Sequence, residues 1–200
     1  MRTFDLFVVE IDKPIEDTMT TKGGLKLYVD NRFKEFEHRV NEAPVVCTPF
    51  KYDTGVKEGD TLYFHHHVVI NGGQPLTGHE NHYLIRWNAE STVGNQAIAY
   101  KKKDSDEVIP LGGWAILEDI EKEKKKEEDD KSKIVLVELK EKPTTTARVA
   151  FDSPGMQDLG LKVGDVVGFK KGIDYRFKIN GKEYIRIPQD YLDYIEVQDC

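Results

Sequence analysis

The chain has 200 residues, 38% hydrophobic and 32% charged, with a net charge of −7. That length suits one large domain or two of about 100 residues, and no apolar run approaches the roughly 20 residues of a membrane helix. Residues 1–103 carry 13 basic and 14 acidic side chains and residues 104–200 carry 16 and 22, so neither half offers a basic surface for phosphate, which argues against nucleic-acid binding.

The N-terminus, "MRTFDLFVVEID", lacks a basic leader and meets an acid early. It reads as a first β-strand over 4–11 and not as a signal peptide. A long polar segment follows over about 13–42. It contains "TTKGGLKLYVD" at 20–30. It also contains Val29, Phe33, Phe36 and Val40 near helical spacing, which fits either a helix or a loop. "APVVCTPF" at 43–50 predicts the next strand, and "GVKEGDTLYF" at 55–64 a turn leading into another. Strands are expected again at 82–87 and 97–100. The charged stretch "KKKDSDEVI" at 101–109 marks a domain border.

The second half follows the same order. A strand is expected over 113–120, and then a second polar segment over about 121–145. Every residue from Glu121 to Lys133 is charged except Ser132, and Ile134, Val135, Leu136 and Val137 come straight after. The charge run reads as a solvated tether. The apolar patch reads either as bait for a partner or as the next strand. "TARVAFDSP" at 146–154 precedes "GLKVGDVVGF" at 160–169. "KINGKEYI" signals a hairpin, with Asn180-Gly181 suiting a type I′ turn. Strands close the chain at 183–188 and 194–197.

The segments at 55–64 and 160–169 share G-x-K-x-G-D-x-x-x-F at an offset of 105. Gly59 and Gly164 can take positive φ, and Asp60 and Asp165 can cap the turn through their side chains. With matching flanks on both sides, a duplicated β unit is the preferred reading. Cys47 and Cys200 lie far apart, so no disulfide framework is expected and the setting is read as reducing. Trp87 and Trp114 read as packing residues at strand ends.

The order of pieces in each half resembles the chaperonin-10 family, the co-chaperonins of the GroES type. Gly23-Gly24-Leu25-Lys26-Leu27 is similar to that family's mobile-loop motif, with lysine at its centre. In the second half Ile134-Val135-Leu136 is similar to the family's apolar tripeptide, with "KSK" in place of the glycine pair. "VKEGD", "LKVGD" and "YIRIPQDYLDYIEV" resemble further family segments. The resemblance implies an all-β chain of two tandem GroES-like, partly open antiparallel β-barrels. These would span 1–103, with a mobile loop at about 13–42, and 108–200, with a charged loop at about 121–145. The brief connectors "KYDT" at 51–54 and "GMQDL" at 155–159 are similar to roofless co-chaperonins of phage origin.

The implied function is that of a non-enzymatic, cytoplasmic co-chaperonin (in the host cytoplasm if phage-derived). It would form a homo-oligomeric ring that caps an ATP-dependent chaperonin and helps client polypeptides fold. Gly23, Gly24, Leu25, Lys26, Leu27, Ile134, Val135 and Leu136 would bind the chaperonin. No cofactor, metal, nucleic acid or membrane is expected. No G-x-x-x-x-G-K-[ST] is present, so the ATPase would belong to the partner.

Two alternatives stand beside this. One is a metal-dependent enzyme of cupin type using His65, His67, His79 and His82, with His66 facing the opposite side of its strand. The glutamate such a motif needs three or four residues on is missing, since Asn71 and Gly72 stand there. The other is a structural or virion decoration protein that reuses the barrel.

Overall fold

The computed structural model describes residues 2–15, 18–21, 23–28, 39–69, 74–90, 94–120 and 145–196. Three predicted features lie outside them: most of the candidate helix at 29–40, the charge run at 121–133 and the apolar patch at 134–137. Cys200 lies outside them too.

The first sheet contains β1 (Leu6–Glu10), β4 (Glu42–Cys47), β5 (Thr61–Phe64), β6 (His82–Arg86), β7 (Ala97–Lys101) and β8 (Val108–Pro110). The second contains β9 (Trp114–Asp119), β10 (Thr146–Val149), β11 (Val166–Phe169), β12 (Tyr175–Ile179), β13 (Lys182–Pro188) and β14 (Leu192–Glu196). Between β1 and β4 a small hairpin, β2 (Thr18–Thr20) and β3 (Lys26–Tyr28), forms a two-stranded sheet of its own. The expected all-β class holds. Both large sheets have six strands, all their pairings are antiparallel, and neither closes into a barrel.

The strand orders show the duplication directly. The first sheet runs β6-β1-β4-β5-β7-β8 and the second β12-β13-β9-β10-β11-β14. Five positions correspond, as β6-β1-β4-β5-β7 and β13-β9-β10-β11-β14. The first copy adds β8 at one end and the second adds β12 at the other.

The shared G-D turn is built alike in both copies. Gly59 and Gly164 have φ of 88° and 99°. The Lys57 N–H donates to Asp60 Oδ2 at 2.8 Å, and the Lys162 N–H to Asp165 Oδ2 at 2.9 Å. Asp60 Oδ1 also accepts from the Lys103 N–H at 3.0 Å. Each turn is sewn to the preceding strand, through Gly59 N–H to Val45 O at 2.8 Å and Gly164 N–H to Val149 O at 2.9 Å. Ladder register shifts at Tyr63/Phe64 and again at Gly168/Phe169, so even the irregularity repeats. The Asn180-Gly181 turn has φ of 50° and 78°, as a type I′ hairpin requires.

Side-chain alternation explains the packing. Along β9, Trp114 and Ile116 join one core cluster, while Ala115 and Leu117 join another. A strand covered on both faces reads as a continuous apolar run, which is what "WAIL" is. The smaller core holds Leu117, Val149, Met156, Phe169, Ile185 and Ile187. The larger spans both sheets, with Trp114, Ile116, Phe177 and Ile179 among Phe7, Val9, Leu62, Ile85 and Ile98. Besides the β2–β3 hairpin, two further elements went unread in the sequence. A short helix, α1 (Pro154–Asp158), has Ser153 as its N-cap and Pro154 in its first turn, a standard start. The other is β8, which extends the first sheet across the expected border at 101–109.

Candidate functional site

Two features combine exposure with unusual composition. The first is the β2–β3 hairpin. Its turn closes through Gly24 N–H to Thr21 O and Thr21 N–H to Leu25 O, both 2.9 Å. The Leu25 N–H adds a 3.2 Å bond to Thr21 Oγ1. Gly24 sits at φ 82°, a conformation that favours glycine. This closure presents Leu25, Leu27 and Tyr28 outward, at 62%, 41% and 89% exposure. Gly23, Gly24 and Lys26 are exposed with them. Apolar side chains held out on a two-stranded ribbon lack a covering partner within the described residues, and an isolated hairpin gains little from such side chains by itself. The hairpin is therefore an exposed apolar surface among the described residues. Of the expected binding residues, the structure groups these five. Ile134, Val135 and Leu136 lie outside the described residues.

The second feature is the histidine run. β5 ends at Phe64, and a 3-10 turn over His66–Val69 follows. The change from strand to turn overrides the alternation expected of a strand. His66 does not point away from its neighbours, and all three rings gather. Centroids lie 4.6 Å apart for His65–His66, 4.4 Å for His65–His67 and 4.5 Å for His66–His67. Tyr175, on β12 of the other sheet, stacks on His65 at 4.0 Å. Its Oη accepts the His66 N–H at 3.1 Å and lies 2.8 Å from His66 Nδ1. Arg186 covers the rings of Trp114 and Tyr175, at 4.1 and 5.2 Å.

Burial, then the neighbouring imidazoles and Arg186, hold the His65 pKa down at about 3. Burial, His67 and Arg39 hold that of His66 at about 4. Both rings are thus neutral at physiological pH. Burial likewise pushes the Tyr175 phenol up. His79 and His82 form their own pair, 5.7 Å between ring centroids. His82 Nδ1 bonds Glu80 O at 2.6 Å. Among the described residues the ligand-capable group is His65, His66 and His67, with ligand atoms within 4.8 Å of one another. The four-histidine set of the cupin alternative is not assembled.

The sequence did not reveal Tyr175 as a partner of the histidines. It stands 109 residues from His66, and only sheet-to-sheet packing brings the two together. Other bonds cross the same junction: Trp114 Nε1–H to Ala97 O at 2.9 Å, Asn41 Nδ2–H to Lys178 O at 3.0 Å, and Lys101 Nζ to Asn180 Oδ1 at 3.2 Å. No helix among the described residues is long and apolar enough to cross a membrane.

Residues 107–193 match the family model described as Chaperonin 10 Kd subunit. No curated protein matches the chain.

Proposed function

Residues 107–193 being a chaperonin-10 domain, we propose that the whole chain is a two-unit co-chaperonin. Its units would span 1–103 and 108–200, and it would cap a ring-shaped ATP-driven chaperonin in the cytoplasm while client polypeptides fold. The reading assigns no catalysis to this chain. The observation that carries it is the exposed Leu25-Lys26-Leu27 ribbon. It stands after the first strand of a sheet whose strand order repeats that of the matched domain. Ile134-Val135-Leu136 occupies the same point of the second copy and is assigned the same role.

The energetics favour a ring. Burying one Leu, Ile or Val side chain contributes roughly 1.5–3 kcal/mol, while fixing each residue of a loop costs about 1–2 kcal/mol. One loop with two or three apolar residues binds weakly. Several identical loops on a ring bind by effective concentration, and weak single contacts allow an ATP-driven partner to release the lid.

The test is a pull-down on a chaperonin ring with nucleotide. It compares wild type with Leu25→Glu/Leu27→Glu and with Ile134→Glu/Leu136→Glu. The expected result is nucleotide-dependent capture of wild type and at least a tenfold loss in each double mutant. Failure of wild type to bind any chaperonin would remove the mechanism. Loss in one mutant alone would assign binding to that loop.

A further inference from the structure

We propose that His65, His66 and His67 together bind one divalent transition-metal ion of the nitrogen-preferring kind, such as zinc, nickel or copper, at the junction of the two sheets. The reading is independent of the co-chaperonin role.

The backbone of the trio is fixed on both sides. Phe64 before it and Val68 and Val69 after it are buried. The His65 N–H bonds Gln96 O at 2.9 Å, and the Val68 N–H bonds His65 O at 3.1 Å. This is a built turn, unlike a free run of histidines. The ligand atoms lie within 4.8 Å of one another. Three nitrogens around a tetrahedral ion at about 2.0–2.1 Å stand roughly 3.3 Å apart, so the rings need side-chain rotation to converge. His67 is exposed, which gives it room to turn.

Imidazole nitrogens with no thiolate in the group select zinc, copper or nickel over magnesium or calcium. Tyr175 provides the outer support such ligands usually have. Its Oη can accept both the His66 backbone N–H and an Nδ1–H, leaving His66 Nε2 for the ion. His65 gives up its 3.2 Å acceptor contact from the His67 N–H when it coordinates. Since Tyr175 belongs to the second sheet, occupancy would tie the two sheets together.

The experiment is calorimetric titration of untagged, chelator-treated protein with zinc chloride. The expected result is one ion per chain with a micromolar or tighter dissociation constant. His67→Ala and His66→Ala should weaken it at least tenfold. Tyr175→Phe should weaken it severalfold, and His79→Ala/His82→Ala should leave it unchanged. Zinc should also raise the melting temperature of wild type and not of His67→Ala, a variant at an exposed position that retains the fold. The proposal is overturned if wild type takes up no zinc at 100-fold excess, or if His79→Ala/His82→Ala removes binding. Equal affinity in the urea-unfolded chain would overturn it too, because a loose histidine run would then suffice.

Discussion

Tyr63 and Gly168 occupy the same position of the repeated segment and were made opposites by their strand partners. Tyr63 lies across from Ala99, and Gly168 across from Tyr194. Tyr63 is wholly buried, its Oη has no hydrogen-bond partner among the described residues, and burial pushes its pKa up to about 12. An unsatisfied buried hydroxyl costs about 1–3 kcal/mol. Tyr63→Phe should therefore leave stability unchanged or raise it by about 1 kcal/mol in urea unfolding. The folded phenol holds its proton more tightly than the unfolded one, whose pKa is near 10. Its contribution is thus present below pH 10 and is lost as pH rises from about 10 to 12. Wild type should lose stability over that alkaline window more steeply than Tyr63→Phe. Equal slopes would show that another group controls it. The paired aspartates give a second residue-scale test. Asp60 is buried and accepts two backbone N–H bonds, from Lys57 and Lys103. Asp165 is half-buried and has the Lys162 bond alone among the described residues. Asp60→Ala should cost about 2–4 kcal/mol and Asp165→Ala about 1 kcal/mol. Equal costs would mean that the second bond contributes nothing.

At the scale of elements, the Gly168–Tyr194 pair shows why β11 accepts β14. A Cβ at Gly168 would fall onto the Tyr194 ring. Gly168→Ala should cost about 1–2 kcal/mol by overpacking, and Gly168→Ala/Tyr194→Ala should cost less than the two single changes added together. A double-mutant cycle in urea reads that coupling, and strict additivity would refute it. The same pair marks the limit of sequence reading. "GLKVGDVVGF" announced a turn and a strand, because turn chemistry and alternation are local. The tyrosine that fills the space left by the glycine is 26 positions away and shows only in the register. β1, β4 to β7, β9 to β11, β13 and β14 were legible for the local reason. β8 was not, since "VIP" is too short to carry a period. α1 was not, because one turn of "PGMQD" has a cap signal and no apolar stripe. The Gly23–Leu27 motif was legible as residues, while its form as an exposed ribbon was not. For the histidines, alternation pointed the wrong way for His66, because the strand stops at Phe64 and a 3-10 turn begins at His66. Tyr175 could not have been found without the packing of the sheets.

For the whole molecule, the repeat suggests two independent units, and the packing argues that they fold as one. The larger core draws Trp114, Ile116, Phe177 and Ile179 from the second sheet into contact with the first. All four are at most 5% exposed. Stripping the first sheet away would uncover them, at roughly 1.5–3 kcal/mol each. Together that is on the order of the net stability of an ordinary domain, about 5–15 kcal/mol. The bonds from Trp114 to Ala97, from Asn41 to Lys178 and from Lys101 to Asn180 would be lost as well. The intact chain should therefore melt in one calorimetric transition, with calorimetric and van't Hoff enthalpies in agreement. A fragment of residues 108–200 should melt broadly or not at all, bind a hydrophobic dye, and show red-shifted emission from Trp114, its one tryptophan. Adding a fragment of residues 1–107 should restore a cooperative melt if the shared core is what holds the second sheet. Two resolved transitions in the intact chain, the upper one matching the isolated fragment, would show instead that the halves are stable separately. Each would then keep the self-sufficiency that the repeat in the sequence suggests.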